Sequence, residues 1–227
     1  MRILAVDTAL GLCSAAVMDT ATGHMIARES LPMDRGHAEA LMPLIDRVMA
    51  QVPGGFSSLT RIATTVGPGS FTGLRVGLSA ARAIALASSL PIVGITTLSA
   101  FIAPFLSDGT EKSVASVIDA RHQHVYLQIS AGDGRILVPP CIIPQSEAEA
   151  LILASKARIV GSAPSLFANL ANNSNHLVVC EADQPGPDSE WVARLGAFAN
   201  PDEARPTPLY LRPPDAVPQQ NGRIALR

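Results

Sequence analysis

A short apolar run closed by an aspartate occurs twice in this chain, as Leu4-Ala5-Val6-Asp7 and as Val114-Ala115-Ser116-Val117-Ile118-Asp119. Each copy is followed at once by two more strand-like segments, and this repetition restricts the fold more than any single motif does. After the first copy, Ser14 to Met18 and Met25 to Ser30 flank a turn at Thr22-Gly23. After the second, Val125 to Ser130 leads through Gly132-Asp133-Gly134 into Ile136-Leu137-Val138. The first half continues with Ala38, Leu41, Ile45, Val48 and Val52 at spacings of three and four, a helix with one apolar stripe that Pro53-Gly54-Gly55 ends. Ile62 to Val66 reads as a strand, residues 70 to 88 as a helix rich in small residues, and Ile92 to Ile95 as a closing strand. In the second half, helix-like and strand-like stretches alternate at 146–155, 158–160, 164–172 and 177–180. The expectation is an α/β protein of two related lobes, residues 1–102 and 103–212, with the Pro-rich segment 213–227 as a flexible tail.

A chain of 227 residues can bury a core without disulfides or metal. Cys13, Cys141 and Cys180 are odd in number and have no Cys-x-x-Cys spacing, so they read as reduced thiols in the core. Charged residues make up only 16% of the chain against 48% hydrophobic, a composition that favours association with other proteins. No apolar run reaches the roughly 18 residues of a membrane span, and the opening Met-Arg-Ile-Leu-Ala-Val-Asp reads as a strand, so a cytoplasmic protein with no membrane partner is expected. The net charge of −2 argues against nucleic-acid binding through overall charge. Between Arg47 and Ser107, however, there is no acidic residue, while Arg47, Arg61, Arg75 and Arg82 all fall there, which allows a local cationic face.

The segment Gly67-Pro68-Gly69-Ser70-Phe71-Thr72-Gly73 lies between a strand and a helix, where phosphate-binding loops occur. It lacks the Gly-Lys-Ser/Thr ending of a Walker loop and the glycine spacing of a dinucleotide fingerprint, and Pro68 removes an amide donor. A structural turn and an anion contact both remain open, with Ser70 as N-cap in either case. Gly73, Gly77 and Ala81 recur every four residues, so one side of this helix allows another backbone to come close, within the chain or from a second one. Asp7 and Asp119 end their strands either as turn residues or as carboxylates for a hydrated cation beside a nucleotide, and Thr8, Gly69 and Ser70 complete that candidate set. His122 and His124 would share one strand face, a poor metal site without an acid or thiolate, and His37 fits a helix terminus better than a zinc-protease motif. Ser70 is out of register with a Gly-x-Ser-x-Gly elbow, so no catalytic residue and no metal site are assigned.

Leu4-Ala5-Val6-Asp7-Thr8, His37-Ala38-Glu39-Ala40-Leu41-Met42-Pro43-Leu44-Ile45 and Gly67-Pro68-Gly69-Ser70-Phe71-Thr72-Gly73-Leu74-Arg75-Val76-Gly77 together resemble the TsaB (YeaZ) family. Val117 to Arg121, Val125-Tyr126 and Pro208-Leu209-Tyr210-Leu211-Arg212 extend the likeness over nearly the whole chain. The resemblance implies the actin-like ATPase and sugar-kinase (ASKHA) fold. It also implies a non-catalytic paralogue of TsaD, the subunit that transfers a threonylcarbamoyl group to an adenosine beside the tRNA anticodon. TsaD would be the heterodimer partner, TsaE would join them, a homodimer would form in isolation, and tRNA would be met through the complex. Where TsaD carries metal-binding histidines, this chain has Thr96-Thr97-Leu98-Ser99-Ala100-Phe101, which implies an accessory subunit that is no enzyme by itself. The same resemblance puts the partner surface on the first helix, at His37, Leu41, Leu44, Ile45 and Val48. On the second helix it falls at Gly73, Arg75, Val76, Gly77 and Ala80, with Arg82 as a rim contact. No cofactor is fixed by it, and ATP or ADP belongs to the complex if anywhere. An ATP-dependent kinase-like enzyme using Asp7 and Asp119, and a free-standing homodimeric scaffold, are the alternatives.

Overall fold

In a computed structural model, which describes residues 1–106, 112–173 and 178–212, the chain forms two sheets with the same opening topology. The first sheet has the order β3-β2-β1-β4-β5, from β1 (Arg2–Asp7), β2 (Leu12–Asp19), β3 (His24–Pro32), β4 (Arg61–Gly67) and β5 (Ile92–Thr96). The second has the order β8-β7-β6-β9, from β6 (Val114–Asp119), β7 (His124–Ser130), β8 (Ile136–Pro144) and β9 (Arg158–Gly161). In each, the strand that ends in aspartate pairs antiparallel with the next strand and parallel with the one after the helix. This duplicated pattern is the actin-like ATPase and sugar-kinase fold.

The helices are α1 (His37–Met49), α2 (Phe71–Ser88), α3 (Thr97–Leu106), α4 (Gln145–Ser155), α5 (Ala168–Asn173) and α6 (Ser189–Phe198). α1 and α2 cover one face of the first sheet, where Leu41, Leu44, Ile45 and Val48 meet Leu4, Val6, Ala15 and Ile62. Each such fully buried aliphatic side chain contributes about 1.5–3 kcal/mol. α3 carries Leu98, Phe101 and Ile102 against Val114, Ile118 and Val160 of the second sheet, whose other face is covered by Ala148 and Ile152 of α4 and by Phe167.

α6 returns from the far end of the sequence to the opposite face of the first sheet, with Val192 and Ala193 against Ile3, Ala5, Ala63 and Val93. Residues 189–198 therefore pack on the first sheet although they follow the second in sequence. α6 escapes a periodicity reading because its contact face is made of small residues: a Cβ on Gly196 would sit 2.5 Å from the Ala63 Cβ. Asp188 caps it through the Glu190 amide, and Arg61 Nη1 donates to the carbonyls of Gly196, Ala197 and Ala199 at its other end.

Several local expectations change in the folded chain. The stretch 164–172 divides into a 3-10 turn, Pro164–Phe167, and the short α5, and the strand expected at 177–180 is, among the described residues, a single bridge between Ile159 and Cys180. His122 is not on a strand: Arg121, His122 and Gln123 turn with φ of 62°, 51° and 59°, and β7 begins only at His124. The acid-free stretch does not form a cationic face. Arg47 pairs with Glu29, Arg61 caps α6, Arg82 donates to the Pro206 carbonyl, and Arg75 lies over the Phe71 ring. Acids are missing there because much of the stretch is buried strand and packed helix. The tail expected at 213–227 lies outside the described residues.

Candidate functional site

β1 ends under the amino end of α2, and the glycines of the 67–77 segment explain how closely the two meet. A Cβ on Gly69 would come within 2.3 Å of the Ala9 carbonyl oxygen, one on Gly73 within 2.1 Å of the Thr8 carbonyl oxygen, and one on Gly77 within 2.5 Å of Thr8 Oγ1. Hydrogen bonds fix that approach: the Ser70 amide donates to Ala9 O at 2.7 Å and Thr8 Oγ1 donates to Gly73 O at 2.7 Å. Ser70 Oγ accepts from the Gly73 amide as the N-cap, as expected from sequence. The glycine face of α2 thus packs inside the chain.

Asp7 is closed in beneath this contact. Its Oδ1 accepts from Thr65 Oγ1 at 2.6 Å and from the Ala9 amide at 3.1 Å, while Oδ2 is buried without a partner. Burial pushes its pKa up to about 6, a rise that those two hydrogen bonds only partly oppose. Thr8 is equally buried. Asp119 instead lies exposed at the end of β6, its carboxylate accepting from the Arg121 amide in a turn. The proposed nucleotide or anion set of Asp7, Thr8, Gly69, Ser70 and Asp119 is therefore not assembled: two members are shut in, Gly69 is packed against Ala9, Ser70 caps α2, and Asp119 serves a turn. These residues do not fit an ATP or ADP phosphate, and no chemical step follows from them.

The residues expected at a partner surface separate into two groups. Leu41, Leu44, Ile45 and Val48 are 0–1% exposed, Gly73 and Gly77 face Thr8, and the His37 ring is buried with Nε2 3.1 Å from Leu10 O. The apolar stripe of α1 is first of all the stripe that faces its own sheet, so these seven residues hold the surface up, and of them only Leu41 also borders the groove between α1 and α2. Arg75, Val76 and Ala80 do reach the outside. With Ala38, Met42 and Phe71 they line an open groove of about 480 Å³ between α1 and α2. Met42 and Phe71 are about half exposed, and farther along α2 Leu86 stands 83% exposed. Sequence reasoning missed Met42 and Phe71, although Met42 follows Ala38 by one turn on the flank of the buried stripe and Phe71 follows the N-cap.

The model of the TsaD family, tRNA N6-adenosine threonylcarbamoyltransferase, matches residues 31–151, which include α1, α2 and their groove. The tRNA threonylcarbamoyladenosine biosynthesis protein TsaB of Escherichia coli is 34% identical over 128 residues, 56% of this chain and 53% of that protein. The chain belongs to the TsaB (YeaZ) family. It spans about half the length of the curated TsaB relatives it matches. An uncharacterised protein of Mycobacterium tuberculosis is 32% identical over 219 residues, 95% of this chain and 94% of that one. A solved structure from Pseudomonas aeruginosa, of a protein with similarity to the peptidase YeaZ, superposes with a TM-score of 0.73 at 23% identity, covering 93% and 99% of the two chains, and supports the fold.

In this TsaB-family chain, the stretch Thr96–Phe101 is given over to packing. Thr97 is buried at the start of α3, Thr96 Oγ1 donates to Ser99 Oγ at 2.7 Å, and Phe101 fills the core against the second sheet. Among the described residues no group of three His, Cys, Asp or Glu could hold a metal ion, and no helix is long and apolar enough to cross a membrane.

Proposed function

We propose that the chain works in tRNA threonylcarbamoyladenosine biosynthesis as a non-catalytic subunit that binds a TsaD-type transferase through the outer faces of α1 and α2. The observation that carries this is the α1–α2 groove, a mostly apolar surface in which Ala38, Leu41, Met42, Phe71, Val76 and Ala80 are joined by only two hydroxyl residues, Thr72 and Ser79, and one charge, Arg75. Apolar cores with few charges are what protein interfaces present. The matched transferase model covers the same helices, so a TsaD-type partner presents a similar helix pair, and the two pairs can close as a near-symmetric four-helix bundle. A second copy of this chain would meet the same face in isolation and compete with the heterodimer. TsaE and tRNA then belong to the assembled complex. The enclosure of Asp7 supports an accessory role over the kinase-like reading, because a carboxylate under α2 cannot reach a substrate phosphate.

The test is reconstitution of threonylcarbamoyl transfer to tRNA with the cognate TsaD, TsaE and the carbamoyl-adenylate-forming enzyme, with and without this chain. Transfer that depends on it, with none from the chain alone, is expected. Transfer at the same rate in its absence overturns the reading.

A further inference from the structure

Residues 204–209, after α6, cross the first sheet. Gly94 N–H donates to Ala204 O at 2.8 Å on β5, and Leu209 N–H donates to Val66 O at 2.7 Å on β4. Gly94 makes room for it, since a Cβ there would lie 2.7 Å from the Arg205 carbonyl oxygen. Arg82 of α2 holds the Pro206 carbonyl, and Arg212 Nη1 reaches Ala120 O at 2.7 Å, beside the end of β6 in the second sheet. Residues 204–212 are thus a strap tied at both ends, and its one outward aromatic is Tyr210.

Tyr210 is set against the groove described above. Its ring lies 5.3 Å from that of Phe71 at 33°, Arg75 Cζ stands 3.8 Å from the centre of the Phe71 ring, and Arg75 Nε donates to Tyr210 Oη at 3.3 Å. Both rings are 45% exposed despite this stacking. Such a cluster is pre-ordered, because each side chain is already restrained by the other two, so less rotamer entropy is lost when a partner covers it. Tyrosine, arginine and phenylalanine are also the residue types that interfaces concentrate.

We infer that the strap is part of the docking surface and that Tyr210, seated on Phe71 and Arg75, is an anchor residue for the TsaD-type subunit. This rests on the proposed function and extends the surface from two helices to a third segment, one also tied to the second sheet. The apolar groove would take the partner's helices, and the aromatic cluster at its rim would fix their position along α2.

Titration of this 227-residue chain with the purified TsaD subunit from the same source tests this. Tyr210→Ala should weaken binding about tenfold or more, and Tyr210→Phe, which keeps the stacked ring, should stay within about threefold of the wild type. Hydrogen exchange of 204–212 in the wild-type protein should slow on complex formation, a readout that needs no variant. A folded Tyr210→Ala with wild-type affinity, or exchange unchanged by TsaD, overturns the inference. If Met42→Asp abolishes binding while Tyr210→Ala stays within about threefold of the wild type, the strap assignment fails and the helix-pair reading stands. If the wild-type chain does not bind TsaD at all, the proposed function itself falls.

Discussion

Thr8 and Gly73 hold α2 against the end of β1: the threonine hydroxyl donates to the glycine carbonyl at 2.7 Å, and the Thr8 carbonyl lies where a Cβ of residue 73 would have to be. Backbone is not a flexible neighbour, so even one methyl group must move the helix. Gly73→Ala should destabilise the fold by about 2–4 kcal/mol, read as a lowered midpoint of urea unfolding. Ala83→Gly, at an exposed position of the same helix, should cost only about 1 kcal/mol. By the same geometry Gly77→Leu should fail to fold, so it reports packing and not partner binding.

Asp7 gives the stability a defined pH dependence. Its pKa is about 6 in the folded chain against an ordinary 3.8, so the folded state holds the proton more tightly than the unfolded state. Relative to its value below the unfolded pKa, stability falls as pH rises from about 3.8 to about 6 and then levels, at a deficit of about 3 kcal/mol from this group. Asp7→Asn removes the ionisation and keeps an acceptor for Thr65 and Ala9. In urea unfolding at a series of pH values, the stability of the variant relative to wild type should improve by about 2 kcal/mol between pH 4 and pH 8. A constant difference across that range would show that Asp7 does not titrate there.

Core and surface positions on α1 should separate cleanly. Leu41 is 1% exposed, and Leu41→Ala should cost about 2–5 kcal/mol of stability. Met42, its neighbour in sequence, is 50% exposed, and Met42→Asp should leave the unfolding midpoint nearly unchanged while placing a charge in the apolar groove. Its effect should appear in binding to the TsaD-type subunit, as a loss of about 2 kcal/mol or more.

These contrasts also show what the sequence could tell. The doubled strand-and-aspartate pattern was legible because Leu4 to Asp7 and Val114 to Asp119 each need only local composition to be recognised, and Ser70 was legible as a cap for the same reason. The partner face was only half legible. Leu41, Leu44, Ile45 and Val48 form the clearest apolar period on α1, but the period marks the side that folding buries, and the side left for a partner carries the weaker signal of Ala38 and Met42. Glycine spacing likewise gave the closeness of approach on α2 and not its direction, because Gly73 and Gly77 meet Thr8, sixty-five and sixty-nine residues away in sequence. A still longer sequence separation hid α6, whose small contact face makes sense only beside Ala63 and Ile3.

Arg61 is one of the side chains that tie α6 to the first sheet, beside the packing of Val192 and Ala193. It begins β4, and its Nη1 lies 2.9, 3.1 and 3.0 Å from the carbonyl oxygens of Gly196, Ala197 and Ala199, at the helix end where unpaired carbonyls concentrate negative charge. A charge-assisted hydrogen bond of this kind contributes about 1.5–3 kcal/mol, and its removal leaves carbonyls to be satisfied by water at a partly buried site. Arg61→Met keeps most of the hydrocarbon stem and removes the donors, so it isolates that term. It should lower stability by about 2 kcal/mol and speed amide exchange in 189–198 ahead of α1 and α2, since α6 can loosen from its face while the opposite layer stays packed. Arg61→Lys, with one compact cation in place of the planar donor group, should recover part of the loss. Exchange that quickens equally on both faces of the sheet would mean that Arg61 supports the sheet as a whole and not α6 in particular.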